Sequence, residues 1–424
     1  MPPFRPDNGR TRWIWQDSSG LGLASGAVGR LLLHPDRFVA GGDTIARDEG
    51  GRVVFVRGAL PGETVDAELI TEKRDWARAT TIAVVEASPD RVTPPCPSRR
   101  AGCGGCGWQH LTIDAQRAAR VEMVADALRR TGGVRSPVVE HGGIVPPEGY
   151  RTTVRVAGDA DGRAGFRSES SHEVVPAPEC LVAHPVLRAL LPALRLDPGV
   201  EPTLRVSAAT GQLAARWDRV IGDVHGLPEG TAIGSSAVLQ EDVGGRRLRV
   251  SMGSFLQSGP AAADLLVETV QRAAPELADA GLVVDAYSGI GMFGACATPK
   301  SARVIAIETS RVALADARHN LSDREAQIVR GEVGGWHAPA EEHIDVVLAD
   351  PARSGLGKPG VHAIARTRSP VLVLVSCDAA SLARDVKLLA IAGYEHVRSE
   401  VVDTFPHTTH IEAVSRFTRR RAKS

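Results

Sequence analysis

Cys377 follows a run of five valine and leucine residues, VLVLV, which predicts a strand buried on both faces, as in a parallel sheet. The strand ends in SCD, and a helical pattern begins near Ala380. Open α/β folds bind ligands at the carboxyl ends of parallel strands, so this thiol is a candidate nucleophile. The alternative is a small core residue, because free cysteine packs well inside proteins.

Two carboxylates stand at comparable places in the chain. Asp350 ends the apolar segment IDVVLAD, and the following Pro351 forces the chain out of the sheet, which leaves Asp350 at the carboxyl tip of the strand. Glu412 lies between apolar neighbours in HIEAV, where it suits a general base. An exposed position on a last edge strand is the alternative for Glu412.

A nucleoside-binding loop is predicted after the strand LVVDA. Gly289 and Gly291 let a ligand approach the backbone at the start of the next helix. Gly294 completes a GxGxxG pattern, so the glycines alone are also compatible with a dinucleotide. Asp285, at the strand end, resembles the nucleoside loop of class I methyltransferases, and Glu308, at the end of the next strand, can hold both ribose hydroxyls. Together these residues favour an adenosyl ligand.

A thiol, a carboxylate base and an adenosyl site at one sheet edge suit a particular reaction. Carbon C5 of uracil is a weak nucleophile, but thiolate addition at C6 turns the ring into an enolate whose C5 can attack a methyl sulfonium. A carboxylate then removes the C5 proton, and elimination frees the thiol. Cys377, Glu412 and the loop after Asp285 are the candidates for the three parts.

Four other cysteines form a candidate metal site. Cys96, Cys103 and Cys106 fall within eleven residues, and two glycines between the last two let the backbone wrap around a metal. Cys180 is the best candidate for a fourth ligand, because the two remaining cysteines belong to a different domain. Zinc and an iron–sulfur cluster both accept four cysteines, and the residues themselves do not choose between them.

The sequence predicts a loose tail at 1–24, followed by three domains whose elements must position these residues. Residues 25–90 alternate in short strands with glycine-rich turns, which indicates a small antiparallel β-barrel. Residues 91–250 predict a central α+β domain, and residues 251–424 predict a doubly wound α/β domain. In the barrel, Lys73, Arg74, Trp76 and Arg78 form a candidate RNA-binding patch, with a solvated hairpin tip as the alternative.

Composition limits the partners and the compartment. The 424 residues carry a formal net charge of zero, so a polyanion must be held by local basic patches and not by overall attraction. The sequence contains no apolar run of about 18 residues and no signal-peptide core, so no membrane contact is expected and a cytoplasmic location is the default.

Several motifs carry a resemblance to known families. FVRGALPGETV, with SPDRVTPPCP, resembles a TRAM domain, a small RNA-binding barrel. The set SFLQ, DAYSGIGMFG, ADPARSGL, VSCDAASLARD and DTFPHTTHIE resembles the RNA (uracil-5-)methyltransferase family, in its rRNA-type branch with a TRAM domain and iron–sulfur cysteines. The implied fold class is α/β, with a Rossmann-like class I methyltransferase domain preceded by a TRAM/OB-like barrel and the α+β domain.

The resemblance implies roles for individual residues. Cys377 is the implied nucleophile and Glu412 the implied base. The implied S-adenosylmethionine site comprises Gln257, Asp285, Tyr287, Gly289, Gly291, Glu308, Glu332 and Asp350. The four cysteines are implied ligands of a 4Fe–4S cluster, with zinc as the alternative. Cys296 has no role in the pattern and is expected in the core.

The chain departs from the family pattern in four places. Ser258-Gly259 replaces a hydrophobic-Asn pair, Ser288 replaces a cysteine, Met292 replaces an asparagine and Asp378 stands where asparagine is usual. Met292 cannot hydrogen-bond a cofactor as an amide would. The nucleophile and the base are both retained.

The expected substrate is a uridine of large-subunit ribosomal RNA, flipped out of its stack to reach Cys377, and the protein is expected to be a monomer. A second hypothesis is the same chemistry on the T-loop uridine of tRNA. A third is a non-catalytic RNA-binding protein with a degenerate methyltransferase domain, against which the retained Cys377 and Glu412 argue.

Overall fold

The computed structural model describes residues 13–14, 29–169, 171–339 and 341–420. The predicted loose tail, apart from 13–14, and the last four residues of the basic C-terminus lie outside this range. The chain divides into two compact units, which are described separately. The N-terminal unit comprises Met1–Pro94 and Gly107–Ala119, and the C-terminal unit comprises Pro95–Cys106 and Arg120–Ser424.

Strands dominate the N-terminal unit. They are β1 (Trp13–Ile14), β2 (Arg30–Leu33), β3 (Arg37–Phe38), β4 (Thr44–Arg47), β5 (Val53–Arg57), β6 (Thr64–Glu72) and β7 (Trp76–Glu86). They form one sheet in the order β2-β6-β7-β5-β4-β3, with β1 added to β7. The pairs are antiparallel as predicted, except that β5 and β7 run parallel. Alternate residues of β5, Val54 and Val56, are fully buried in the core of this unit, as a period of two requires.

The helices lie mainly in the C-terminal unit. They are α1 (Pro97–Arg100), α2 (Ile113–Ala127), α3 (Pro185–Leu190), α4 (Pro260–Ala273), α5 (Met292–Cys296), α6 (Arg311–Asn320), α7 (Gly357–Thr367) and α8 (Ala379–Ile391). Short 3-10 segments occupy Leu191–Ala193, Pro275–Asp279 and Val333–Gly335, and a π-turn at Leu128–Gly132 extends α2. The helix after the glycine loop, α5, has only five residues. No helix among the described residues is both long and apolar enough to span a bilayer.

The middle of the chain is built from short strands, mostly antiparallel, as predicted. They are β9 (Thr153–Arg155), β10 (Ala157–Gly158), β11 (Ala164–Arg167), β12 (Val174–Pro176), β13 (Arg195–Leu196), β14 (Thr203–Val206), β15 (Leu213–Arg216), β16 (Val224–His225), β17 (Ala232–Ile233), β18 (Val238–Val243) and β19 (Arg246–Ser251). They form sheets of two to four strands. One earlier strand, β8 (Val139–Ile144), instead joins the sheet of the C-terminal part.

An eight-stranded mixed sheet carries the C-terminal part. Its remaining strands are β20 (Leu282–Ala286), β21 (Arg303–Glu308), β22 (Ala326–Arg330), β23 (Val346–Ala349), β24 (Val371–Ser376), β25 (Tyr394–Asp403) and β26 (Ala413–Arg419). The order is β22-β21-β20-β23-β24-β26-β25-β8, with the first five strands parallel. The strand order reverses between β20 and β23: β21 and β22 lie on one side of β20, and β23 and β24 lie on the other. Doubly wound sheets bind ligands at such a point. Every residue of β20, β23 and β24 is buried, as their apolar runs predict.

Candidate active site

Strand register brings Cys377 and Glu412 together. β24 and β26 are antiparallel neighbours, and Ser376 pairs with Ala413. Cys377 follows Ser376 and Glu412 precedes Ala413, so both residues lie at the same end of the ladder, just beyond its last pair. The Cys377 side chain is partly exposed and Glu412 is buried. Both line a single cavity of about 530 Å³.

The same cavity collects most of the predicted cofactor residues. It is lined from the carboxyl ends of β20, β21, β23 and β24, from residues 255–257, and from the segment that precedes β26. The predicted residues in its wall are Gln257, Tyr287, Gly289, Glu308, Asp350, Cys377 and Glu412. A ligand bound against Glu308 would therefore share one space with Cys377 and Glu412.

Three predicted cofactor residues lie outside the cavity wall. Asp285 is buried, and its Oδ2 accepts a hydrogen bond of 2.8 Å from the Gly294 N–H at the start of α5. Gly291 adopts a left-handed φ of 77°, and a Cβ there would approach Leu321 Cδ1 to 3.1 Å. Glu332 is exposed just beyond β22. In this structure Asp285 and Gly291 shape the loop, and the direct cofactor contacts predicted for all three remain predictions.

The glycine loop is held in a constrained conformation. Tyr287 has a positive φ of 62°, which is uncommon for a non-glycine residue and stores strain of about 1–3 kcal/mol. The Gly289 N–H donates to Glu308 Oε2 at 3.0 Å, and Glu308 Oε1 accepts from the N–H groups of Thr309 and Ser310, each at 2.7 Å. These bonds fix the Glu308 carboxylate at the edge of the cavity.

One further wall residue has an unsatisfied polar atom. The Ser288 hydroxyl is buried, lines the cavity and has no hydrogen-bond partner among the described residues. Buried polar groups normally have partners, so an orphan hydroxyl in a cavity wall points to a polar ligand. The cavity size, the fixed Glu308 carboxylate and Ser288 together fit an adenosyl cofactor.

Burial dominates the electrostatics of the reacting groups. It raises the pKa of the Cys377 thiol to about 11; the negative charges of Glu412 and Asp350 add to the rise, and the Arg353 guanidinium opposes it. Burial, with the charge of Asp350, also raises the pKa of Glu412 well above its usual value. The pKa of Asp350 rises to about 7, through burial and then the charge of Asp285. Such shifts are typical of proton-transfer sites.

The cavity also holds residues that sequence reasoning missed. Arg353 Nη2 lies 2.9 Å from His410 Nδ1. Burial lowers the pKa of His410 to about 4, with the charge of Arg353 adding to the effect, so the ring is neutral at neutral pH and Nδ1 accepts from Arg353. Phe255 is 70% exposed at the cavity, where an aromatic ring can stack on a base. All three lie in the quoted motifs, but the motifs do not give the direction of a loop side chain.

The four predicted metal-ligating cysteines are all buried in the C-terminal unit. Burial raises the pKa values of Cys103 and Cys180, and that of Cys106 to about 12. The charges of the other members of the set, including Cys96, raise these pKa values further, so the four sulfurs are near neighbours. Within the described residues, no three His, Cys, Asp or Glu side chains are placed to share one metal ion.

Comparison with known proteins identifies the family. The chain is 34% identical to an uncharacterized RNA methyltransferase of Streptomyces avermitilis, over 88% of this chain and 95% of the relative. It is 30% identical to the 23S rRNA (uracil(1939)-C(5))-methyltransferase RlmD of Halomonas elongata, over 92% of this chain and 90% of the relative. The chain belongs to the RNA (uracil-5-)methyltransferase family. The resemblance carried by the motifs is thereby confirmed.

Two further comparisons place the parts of this methyltransferase. The TRAM domain family matches residues 36–82, which lie within the predicted barrel. The fold is similar to that of the Pyrococcus abyssi tRNA (uracil-54, C5)-methyltransferase in complex with S-adenosyl-L-homocysteine. The TM-score is 0.68 at 23% identity, over 91% of this chain and 99% of that one. The predicted α/β fold class is confirmed.

Proposed function

We propose that the protein methylates C5 of a uridine in RNA, with Cys377 as nucleophile and Glu412 as general base. The observation that carries the proposal is that Cys377 and Glu412, next to the last pair of the β24–β26 ladder, line one cavity together with Glu308. Homology to a 23S rRNA uracil-C5 methyltransferase supports the choice of substrate atom.

The reaction follows from the two side chains. Bound S-adenosylmethionine supplies an electrophilic methyl group. The Cys377 thiolate adds to C6 of the uracil, which gives C5 the electron pair that would form the bond to the methyl carbon; the methyl–sulfur bond would break with its electron pair left on sulfur, so that the leaving group is a neutral thioether. Glu412 accepts the C5 proton, the C5–C6 double bond re-forms, and Cys377 leaves C6 as the thiolate. Burial raises the pKa of Glu412 above its usual value, which makes its carboxylate a stronger acceptor for that proton.

Two substitutions test these roles separately. Cys377→Ala is expected to lose methyl transfer and to form no covalent adduct with RNA containing 5-fluorouridine, because the attacking sulfur is absent. Glu412→Gln is expected to keep adduct formation but to lose turnover, and to accumulate a methylated protein–RNA adduct on ordinary RNA. Cys296→Ala is the control, because Cys296 is buried outside the cavity with its Sγ 3.3 Å from the Val243 carbonyl oxygen. Methylation by Cys377→Ala at the wild-type rate would overturn the proposal.

The substrate we favour is 23S ribosomal RNA, on the strength of the Halomonas elongata relative. The tRNA enzyme is a weaker guide, because its 23% identity supports the fold alone. Mapping 5-methyluridine in both RNAs from a strain that lacks the gene distinguishes them: loss from 23S RNA supports this assignment, and loss from tRNA alone contradicts it.

The cysteine set is the candidate site for a 4Fe–4S cluster of structural or RNA-positioning role. Four buried thiols in one unit suit cluster ligation, and zinc with four cysteine ligands is the alternative. The cofactor would be supported if anaerobically purified protein contained iron and sulfide and showed a broad visible absorbance band. The band should be lost in Cys106→Ser and kept in Cys296→Ser. Stoichiometric zinc without iron would contradict it.

A further inference from the structure

The proposed base lies at the end of a segment without regular secondary structure. Residues 404–412, here the base loop, connect the end of β25 at Asp403 to the start of β26 at Ala413. The loop contributes Phe405, His410, Ile411 and Glu412 to the cavity wall. At the far end of the loop, the Glu412 carbonyl accepts a hydrogen bond of 2.8 Å from the Val402 N–H. The path of the main chain that leads into Glu412 depends on what holds the loop carbonyls before it.

Arg120 of α2 holds those carbonyls. Its Nε donates to the His410 carbonyl at 3.0 Å, and His410 is two residues before the proposed base. Its Nη2 donates to the carbonyls of Thr408, at 2.6 Å, and Phe405, at 3.4 Å. All of these acceptors are main-chain oxygens of the base loop.

The third nitrogen of Arg120 reaches the start of the loop. Nη1 lies 3.1 Å from Asp403 Oδ2, in an ion pair whose side chains are 1% and 0% exposed. A guanidinium is planar and presents its donors in a fixed fork, so it can set the spacing of several acceptors at once. Both ends of the base loop are thus tied to one rigid group. A buried arginine with this many bonds to one loop is more than packing requires, because buried charge is costly.

We infer that Arg120 is a positioning residue that holds Glu412 opposite Cys377 for removal of the C5 proton. The inference rests on the proposed function. Arg120 does not line the cavity and touches no reacting atom. Other bonds also reach the loop. In its first part, Ser258 Oγ donates to the Thr404 carbonyl at 2.6 Å and the Tyr150 hydroxyl donates to the Pro406 carbonyl at 3.0 Å; in its later part, Arg353 Nη2 donates to the His410 ring.

The test separates proton removal from the earlier steps. Adduct formation with 5-fluorouridine RNA needs Cys377 and the cofactor site but no removal of a C5 proton. The double variant Arg120→Gln/Asp403→Asn removes the fork without leaving a lone buried carboxylate. It is expected to form this adduct at a rate within about threefold of the wild type. Its turnover of uridine RNA is expected to be about 100-fold slower, because misplacement of a catalytic group by about 1 Å slows a reaction by about this factor. A methylated protein–RNA adduct is expected to accumulate on uridine RNA. Arg120→Lys, whose ammonium group cannot reach three carbonyls, is expected to have a turnover rate between those of the wild type and the double variant.

A matched control removes a similar pair elsewhere. Arg91 and Glu63 form a buried ion pair in the N-terminal unit, with Arg91 Nη2 2.7 Å from Glu63 Oε2 and side chains 4% and 0% exposed. Arg91→Gln/Glu63→Gln is expected to lower the melting temperature without changing the ratio of adduct formation to turnover. The inference would be overturned if adduct formation and turnover fell by the same factor in the Arg120 variants. It would also be overturned if turnover did not fall at all. Failure of the proposed function would be seen separately, as unimpaired methylation by Cys377→Ala or Glu412→Gln.

Discussion

The Cys377 thiol is protonated in the resting protein at neutral pH, because its pKa is raised to about 11. Burial is the main cause, and the nearby carboxylates Glu412 and Asp350 reinforce it. The Arg353 guanidinium, which is exposed in the cavity wall, lowers the pKa of Cys377 and so acts in the opposite direction. The thiolate that the proposed addition to C6 requires is therefore a small fraction of Cys377 in the resting protein.

Alkylation of Cys377 by iodoacetamide is expected to speed up with pH. Because only the thiolate reacts, its rate should rise about tenfold per pH unit between about pH 7 and pH 10. Arg353→Gln should slow alkylation at each pH, since loss of the guanidinium raises the pKa of Cys377 further, and Arg353→Lys, which keeps a cation, should stay near the wild type. Mass spectrometry of the peptide that contains Cys377 measures the rate. A rate that levels off near pH 7 would show that the thiol is already ionised.

At the residue scale, the sequence predicted that Cys377 and Glu412 lie at one sheet edge, but it did not predict their neighbours Arg353 and His410 in the cavity wall. Cys377 and Glu412 each follow or precede an apolar strand, so the local pattern places them at a sheet edge. The contact between Arg353 and His410 joins residues 57 positions apart on two irregular loops. Loop side chains have no period, so only the folded chain shows this contact.

At the element scale, the apolar runs predicted the central strands of the C-terminal sheet well. The helix after the glycine loop is shorter than an ordinary βα unit provides, and the Asp285 carboxylate holds the N–H of Gly294 within it. Strand β8 could not be assigned from its own residues: its partner β25 is more than 250 positions away, and no local pattern encodes that pairing. A strand predicted to belong to the central domain thus lies at the edge of the eight-stranded sheet.

Asp285 makes the stability of the protein depend on pH. Burial raises its folded-state pKa to about 7 from 3.8, the charge of Glu308 adds to the rise, and the bond from Gly294 opposes it. A carboxyl whose pKa is raised by folding stabilises the native state below the unfolded pKa, and this contribution is lost as the pH rises through the folded pKa. For Asp285 the loss falls between about pH 4 and about pH 7.

Asp285→Asn is expected to remove this loss while keeping an oxygen acceptor for the Gly294 N–H. The difference in melting temperature, variant minus wild type, should therefore be larger at about pH 8 than at about pH 5. Asp285→Ala, which removes the acceptor as well, should lower the melting temperature at both values. If the melting temperatures of the wild type and Asp285→Asn depended on pH in the same way, folding would not raise the pKa of Asp285.

At the scale of the whole molecule, RNA must be held by local charge, because the formal net charge is zero. The predicted patch in the N-terminal unit has the composition that this requires. Lys73 and Arg74 are exposed, Trp76 is 37% exposed, and the Trp76 ring lies edge-on to Phe55 with centroids 6.1 Å apart. Arg78 lies 6.0 Å from the centroid of the Phe55 ring. A cation and aromatic rings on one surface suit phosphate contact and base stacking.

Reversing the charge of this patch should weaken RNA binding without slowing the chemistry. Lys73→Glu/Arg74→Glu is expected to raise KM for RNA by about tenfold or more at low salt and to leave kcat unchanged, because the changed residues contact phosphates and not the reacting base. The loss should shrink as salt rises, since screening weakens the wild-type contacts too. Arg311→Glu/Arg318→Glu, on the exposed face of α6, makes the same change in net charge and controls for overall attraction. An equal rise in KM for both double variants would mean that RNA responds to total charge, and the patch would then have no special role.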